Sequence, residues 1–125
     1  MHFHGTIIWN ELMTSDVEAA KAFYGAVLGW TFETVDSAVG PYTLARRPGE
    51  PRPVAGFMPW AAATPGAEDW FAYAGVDDVA AAVAAVRAAG GTVHRDVFDI
   101  AGVGTFAIVA DPVGAVIGLM KPLPM

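Results

Sequence analysis

The chain has no cysteine among its 125 residues. That excludes disulfides and thiolate chemistry, and it leaves histidine, aspartate and glutamate as its strong metal ligands. Cations are scarce as well, with 7 Lys and Arg against 13 Asp and Glu and a net charge of −6. Nucleic acid is therefore not an expected partner, since phosphate backbones require clustered cations. The one adjacent basic pair, Arg46-Arg47, is expected to flank an exposed hairpin. Long hydrophobic runs are absent too. The apolar fraction is 54%, but much of it is alanine and no stretch approaches the roughly 18 apolar residues of a membrane span. The opening Met1-His2-Phe3-His4-Gly5 lacks the basic start and apolar core of a secretory signal, so a soluble, cytoplasmic protein is expected.

What is present is an internal repeat. Val54-Ala55-Gly56-Phe57-Met58 returns 62 positions later as Val116-Ile117-Gly118-Leu119-Met120. At the same offset Asp16-Val17 becomes Asp78-Val79, Gly29 becomes Gly91, and Thr43-Leu44-Ala45 becomes Thr105-Phe106-Ala107. A constant offset without gaps, running through helices and strands alike, points to duplication. The length allows one domain, residues 1–125, in which the repeats 6–60 and 68–122 share one core.

Residues 6–13 read as a strand and lead into Thr14-Ser15-Asp16. Ser15-Asp16-Val17-Glu18 has the form of a capping box. Val17, Ala20, Tyr24, Val27 and Leu28 share a helical face, and Gly29 supplies the stop. Strands follow over 30–36, 41–47 and 53–59, giving a β-α-β-β-β unit. The second copy predicts a strand over 71–76, a helix over 77–89 and strands near 92–98, 103–110 and 115–121. Asp111-Pro112-Val113-Gly114 has the residue order of a type I turn, and 61–69 reads as the connector.

The segment Asp16 to Trp30 resembles the D-x-x-x-A-x-x-FY-x-x-x-LG-W/F pattern of the glyoxalase, bleomycin-resistance and extradiol-dioxygenase superfamily, the vicinal oxygen chelate fold. Asp111-Pro112-Val113-Gly114 resembles its DP-x-G turn, and Val76-Asp77-Asp78-Val79 and Gly90-Gly91-Thr92-Val93 follow in the family's order. Trp9-Asn10-Glu11-Leu12 and Gly114 to Leu119 are similar to a metal-lacking, antigen-like or hydroxylase-like branch. The resemblance implies an α+β fold of two tandem βαβββ units whose mixed sheet curls around a cleft. It also implies metal ligands on the first and last strands of each unit. Here those positions fall on Trp9 and Phe71, and on Gly56 and Gly118, none of which offers a side-chain donor. A divalent ion needs about three or four converging donors, so the expectation is no metal and no cofactor. The glycines are expected to leave room for a ligand.

If Trp9 faces that cleft, strand alternation puts Glu11 there as well, with Tyr73 at the equivalent position of the second repeat. Glu11 and Tyr73 are the candidate catalytic pair, placed to hydrogen-bond across the pseudo-twofold axis. Desolvation would raise the pKa of such a carboxylate and suit it to accept a proton. Equally, Glu11 could be satisfied by backbone amides, a tyrosine hydroxyl or an arginine and do no chemistry. Parity adds Met58, Trp60 and Met120 to Trp9 and Phe71 as ligand-lining residues, and puts Phe57 and Leu119 beneath the helices. His2, His4 and His94 lack ligand spacing, Asp77-Asp78 reads as a helix cap, and Gly102-Val103-Gly104 precedes a strand, unlike a phosphate loop. The expected function is metal-independent binding of a small apolar or aromatic molecule, with room for proton transfer, by a homodimer. A metal-dependent lyase, isomerase or dioxygenase with substitute ligands, and a structural or partner-binding module, are the alternatives.

Overall fold

The computed structural model describes residues 3–37, 40–59 and 68–123. Its elements run β1 (Ile7–Thr14), α1 (Val17–Leu28), β2 (Thr31–Ser37), β3 (Gly40–Arg46), β4 (Pro53–Pro59), β5 (Asp69–Gly75), α2 (Val79–Ala88), β6 (Thr92–Ile100), β7 (Gly104–Ala110) and β8 (Val116–Pro122). The fold is α+β and consists of two βαβββ units, as the repeat implies. Spatially, one compact unit gathers Asn10–Trp70, and the other gathers Phe71–Met125 with Met1–Trp9. The N-terminal segment joins the later repeat because Gly5 N–H donates to the Gly75 carbonyl at 2.8 Å and Gly75 N–H to that of Thr6 at 2.7 Å.

In the first unit the strand order is β2-β3-β4-β1, with β1 parallel to β4 and the hairpins antiparallel. Leu12, Ala45, Ala55 and Phe57 form its core, and Val17, Ala20 and Tyr24 of α1 pack onto them. Asp16 caps α1 by accepting from Ala19 N–H at 3.0 Å, and Gly29 ends it at φ 71°, the left-handed conformation glycine adopts at no cost. The capping box is corrected here. Ser15 stands one residue too early, its N–H donates to Glu68, and Glu18 pairs with Lys21 at 3.2 Å. A second correction concerns the apolar face, since Val27 and Leu28 are exposed. The space beneath the last turns is taken by Trp30 and Phe32, which pack on Tyr24 and Phe57.

In the second unit the order is β5-β8-β7-β6, with β5 parallel to β8. Val76, Val79, Val83, Ala107, Val109 and Leu119 bury the face beneath α2. Asp78 caps α2 by accepting from Ala81 N–H at 3.0 Å, as Asp16 caps α1. The β7–β8 turn is closed by Gly114 N–H on the Asp111 carbonyl at 3.0 Å. The Asp111 carboxylate also accepts from the N–H groups of Ala115, Val113 and Gly114, which hold its pKa below the usual aspartate value. Phe57 and Leu119 lie under their helices, as parity predicts.

Candidate functional site

The register of the two parallel strand pairs builds the site. Glu11 of β1 is paired with Gly56 of β4, and Tyr73 of β5 with Gly118 of β8, so the 62-residue offset holds strand by strand. Alternation sends Leu12 and Phe57 to the helix side of the first unit and Glu11 and Gly56 to the opposite face. Glu11 is only 6% exposed, an unusual position for a carboxylate.

Tyr42 of β3 occupies the space above Gly56. Its hydroxyl donates to Glu11 Oε2 at 2.6 Å. Since Thr43 pairs with Phe57, Tyr42 lies on the face of Gly56 and reaches over β4 to β1. A Cβ at Gly56 would overlap the Tyr42 hydroxyl and ring. The glycine therefore seats the ring that reaches Glu11, which corrects the expectation of open space for a ligand. The sequence reading missed Tyr42 in this role. The signal was present in strand parity, which puts Tyr42 and Leu44 on the same side as the glycine.

The second unit fills its glycine differently. A Cβ at Gly118 would overlap Tyr73 and come within 2.9 Å of the Phe71 ring. Tyr73, Phe106 and Met120 are buried together, with Ile8, Trp9, Phe71, Phe98 and Ile100 packed around them. Phe71 meets Tyr73 edge-on at 5.0 Å, Tyr73 meets Phe106 at 5.8 Å, and Phe98 stacks on Phe106 at 5.6 Å. The structure thus gathers the candidates Trp9, Phe71, Tyr73 and Met120 in one cluster. Glu11 and Gly56 stand in the other unit beside Tyr42, and Met58 is half-buried opposite Met13. Trp60 and His2 lie outside the described residues.

The residues present do not fit a divalent ion at the positions the fold would use. Trp9, Phe71, Gly56 and Gly118 supply no donor, and aromatic rings take the space at both glycines. Among the described residues no group of three or more His, Asp and Glu could hold a metal. His4 accepts from Asp77 N–H through Nδ1 at 3.0 Å, and His94 is exposed on β6.

Two grooves flank the helices on the other side of the sheets. One, of about 300 Å³, lies between the start of α1 and Glu68; the other, of about 550 Å³, lies along the alanine face of α2. Glu68 accepts from Thr14 Oγ1 at 2.5 Å and from Ser15 N–H, and these bonds hold its pKa below the ordinary 4.5. Its carboxylate is thereby committed to fixing the β1–α1 turn.

The family model described as glyoxalase/bleomycin resistance protein/dioxygenase superfamily matches residues 6–119. The chain belongs to this superfamily. Among superfamily relatives, it is 40% identical over 121 residues to CFP32 of Mycobacterium bovis, which carries a provisional glyoxylase name; the match covers 96% of this chain and 45% of that protein. It is 31% identical over 131 residues to the anthracycline biosynthesis protein DnrV of Streptomyces peucetius, covering 94% of this chain and 47% of that one. It thus spans about half the length of these curated superfamily relatives. The Mn(II)-bound glyoxalase of Novosphingobium aromaticivorans shares the superfamily fold at a TM-score of 0.62 and 20% identity, over 97% of this chain and 40% of that one.

Proposed function

We propose that this chain binds a small apolar or aromatic molecule without a protein-held metal, and that Glu11 is the polar group presented to it, as hydrogen-bond acceptor or proton acceptor. The observation that carries this reading is the Glu11–Tyr42 pair. A carboxylate 6% exposed is held by a phenol 2.6 Å away, at a position where a glycine makes room for the ring. Burying a carboxylate in this way costs free energy that a structural role would rarely require, and such groups concentrate at functional sites. In a proton transfer, Glu11 would take the proton from an acidic C–H or O–H, with the Tyr42 hydroxyl steadying the carboxylate in its charged form. In the other unit, Trp9, Phe71, Tyr73 and Met120 form an apolar and aromatic cluster of their own, which supports the same ligand class. The name of the Streptomyces relative refers to anthracyclines, which are planar aromatics, and that supports the ligand class. Edge strands β2 and β6 leave backbone groups for pairing, which supports a homodimer.

Titration of tryptophan fluorescence with a panel of planar aromatics, anthraquinone among them, tests the reading. Glu11→Ala should weaken binding about tenfold, a change of about 1.4 kcal/mol. Unchanged affinity would overturn the site. Stoichiometric metal retained after dialysis of untagged protein would overturn metal independence, and a monomeric mass at micromolar concentration would overturn the dimer.

A further inference from the structure

We infer that Arg95 is the anion-recognising end of an aromatic-ligand site on the second unit, so that the ligand is a planar aromatic carrying a negative group such as a carboxylate. The inference rests on the ligand-binding reading above and narrows its substrate class.

Two irregularities in β6 place this residue. Val93 pairs with Val109 and packs beneath α2, so simple alternation would put Arg95 beneath the helix as well. Instead Arg95 pairs with Ile108, the neighbour of Val109, because the register shifts between residues 93 and 95. A second shift lets Phe98 pair with Phe106, two residues from Ile108, so Arg95 and Phe98 share one face although they stand three apart in sequence. Bulges of this kind re-aim side chains, and they recur beside binding sites. The outcome is two parallel rows on the aromatic face. One runs Arg95, Ile108, Gly118, Tyr73 across β6, β7, β8 and β5, and the next runs Phe98, Phe106, Met120.

Arg95 also differs from Arg46, Arg47 and Arg87, and it differs from Arg52, which like it has no ion pair among the described residues, in lying over a ring. Arg46, Arg47 and Arg87 each face a carboxylate, at 2.6, 2.9 and 3.1 Å. Arg95 makes no ion pair among the described residues, and its guanidinium carbon lies 3.7 Å from the centre of the Phe98 ring. The nearby acids are engaged elsewhere. Asp96 accepts from Val97 N–H and pairs with Arg87, and Asp99 accepts from Thr105 Oγ1. A guanidinium over a ring keeps its N–H edge free to bind an anion in its own plane, so a ligand ring can pack against the half-buried Phe98 and Ile108 while its carboxylate meets Arg95. The overall charge of −6 repels anions, so a preference for one requires a local cation.

Two probes of one shape, 2-naphthoate and the neutral 2-naphthamide, separate the terms by calorimetry on the full chain. Wild type should bind the naphthoate about five- to tenfold more tightly than the amide, in the range of a charge-assisted hydrogen bond. Arg95→Gln, an exposed change that leaves the thermal transition in place, should abolish that preference and keep the affinity for the amide within about twofold. Binding of the amide with no preference for the naphthoate in wild type, or a preference that survives Arg95→Gln, overturns the role of Arg95 while the ligand-binding reading stands. Failure of both probes to bind wild type overturns the two together.

Discussion

Two equivalent glycines are put to different uses in the two units. At Gly56 the space above the backbone admits Tyr42 from β3, and the ring ends on a buried carboxylate. At Gly118 it admits Tyr73 and Phe71 from β5, which pack with Phe106 and Met120. The position equivalent to Tyr42 is Gly104, which lies against the Lys121 backbone and has no ring to send over the sheet. The parallel register is common to both units, so duplication preserved the backbone scaffold while a few side chains set the chemistry of each face.

The helix side of the comparison breaks first. Phe57 and Leu119 are equivalent positions beneath α1 and α2, 0% and 8% exposed. Phe57→Ala should cost about 3–5 kcal/mol and Leu119→Ala about 2–5 kcal/mol in urea unfolding. A loss near zero at Leu119 would mean that α2 is not seated as α1 is.

Next come the glycines. Gly56→Ala and Gly118→Ala should each destabilise by about 1–3 kcal/mol through overpacking. If the clash at Gly56 is with Tyr42, a cycle with Tyr42→Ala should recover most of that loss, and the same tyrosine variant should recover nothing at Gly118. Additive effects at Gly56 would remove Tyr42 from above it.

The hydroxyl itself is expected to contribute no more than the glycines. Tyr42→Phe keeps the ring and removes the donor, and it should cost about 1–3 kcal/mol because the Glu11 carboxylate stays buried. Glu11→Gln in that background should restore part of the loss. Denaturant titration of the two variants reads this directly.

The smallest effect concerns the turns before the helices, where Ser15 N–H donates to Glu68 and the equivalent Asp77 N–H to His4. The bonds from Thr14 and Ser15 lower the Glu68 pKa, so their stabilisation is fully present above the ordinary 4.5 and is lost as pH falls through the lowered value. Wild type should melt above Glu68→Gln at pH 6, and the two melting temperatures should converge in acid. A gap that persists unchanged in acid would show that the carboxylate charge is not what matters.

The units, their element order, the helix stops and the last hairpin were legible in sequence, because hydrophobic period and turn chemistry are local. Glu11 was legible as a candidate because its parity follows from a regular strand. Tyr42 was not, since its hydrogen bond spans three strands and depends on how far a side chain reaches. Arg95 was hidden for another reason: a bulge breaks the alternation from which its face would be read, and nothing in Val93 to Phe98 announces where the register slips.

The sequence by itself determined the duplicated βαβββ scaffold, because identity at a fixed offset needs no coordinates. Only the tertiary structure decided that the glycines hold rings, that Glu11 meets Tyr42, and that Arg95 joins the aromatic face. Each of those depends on which strand lies beside which and in what register, and long-range pairing sets both.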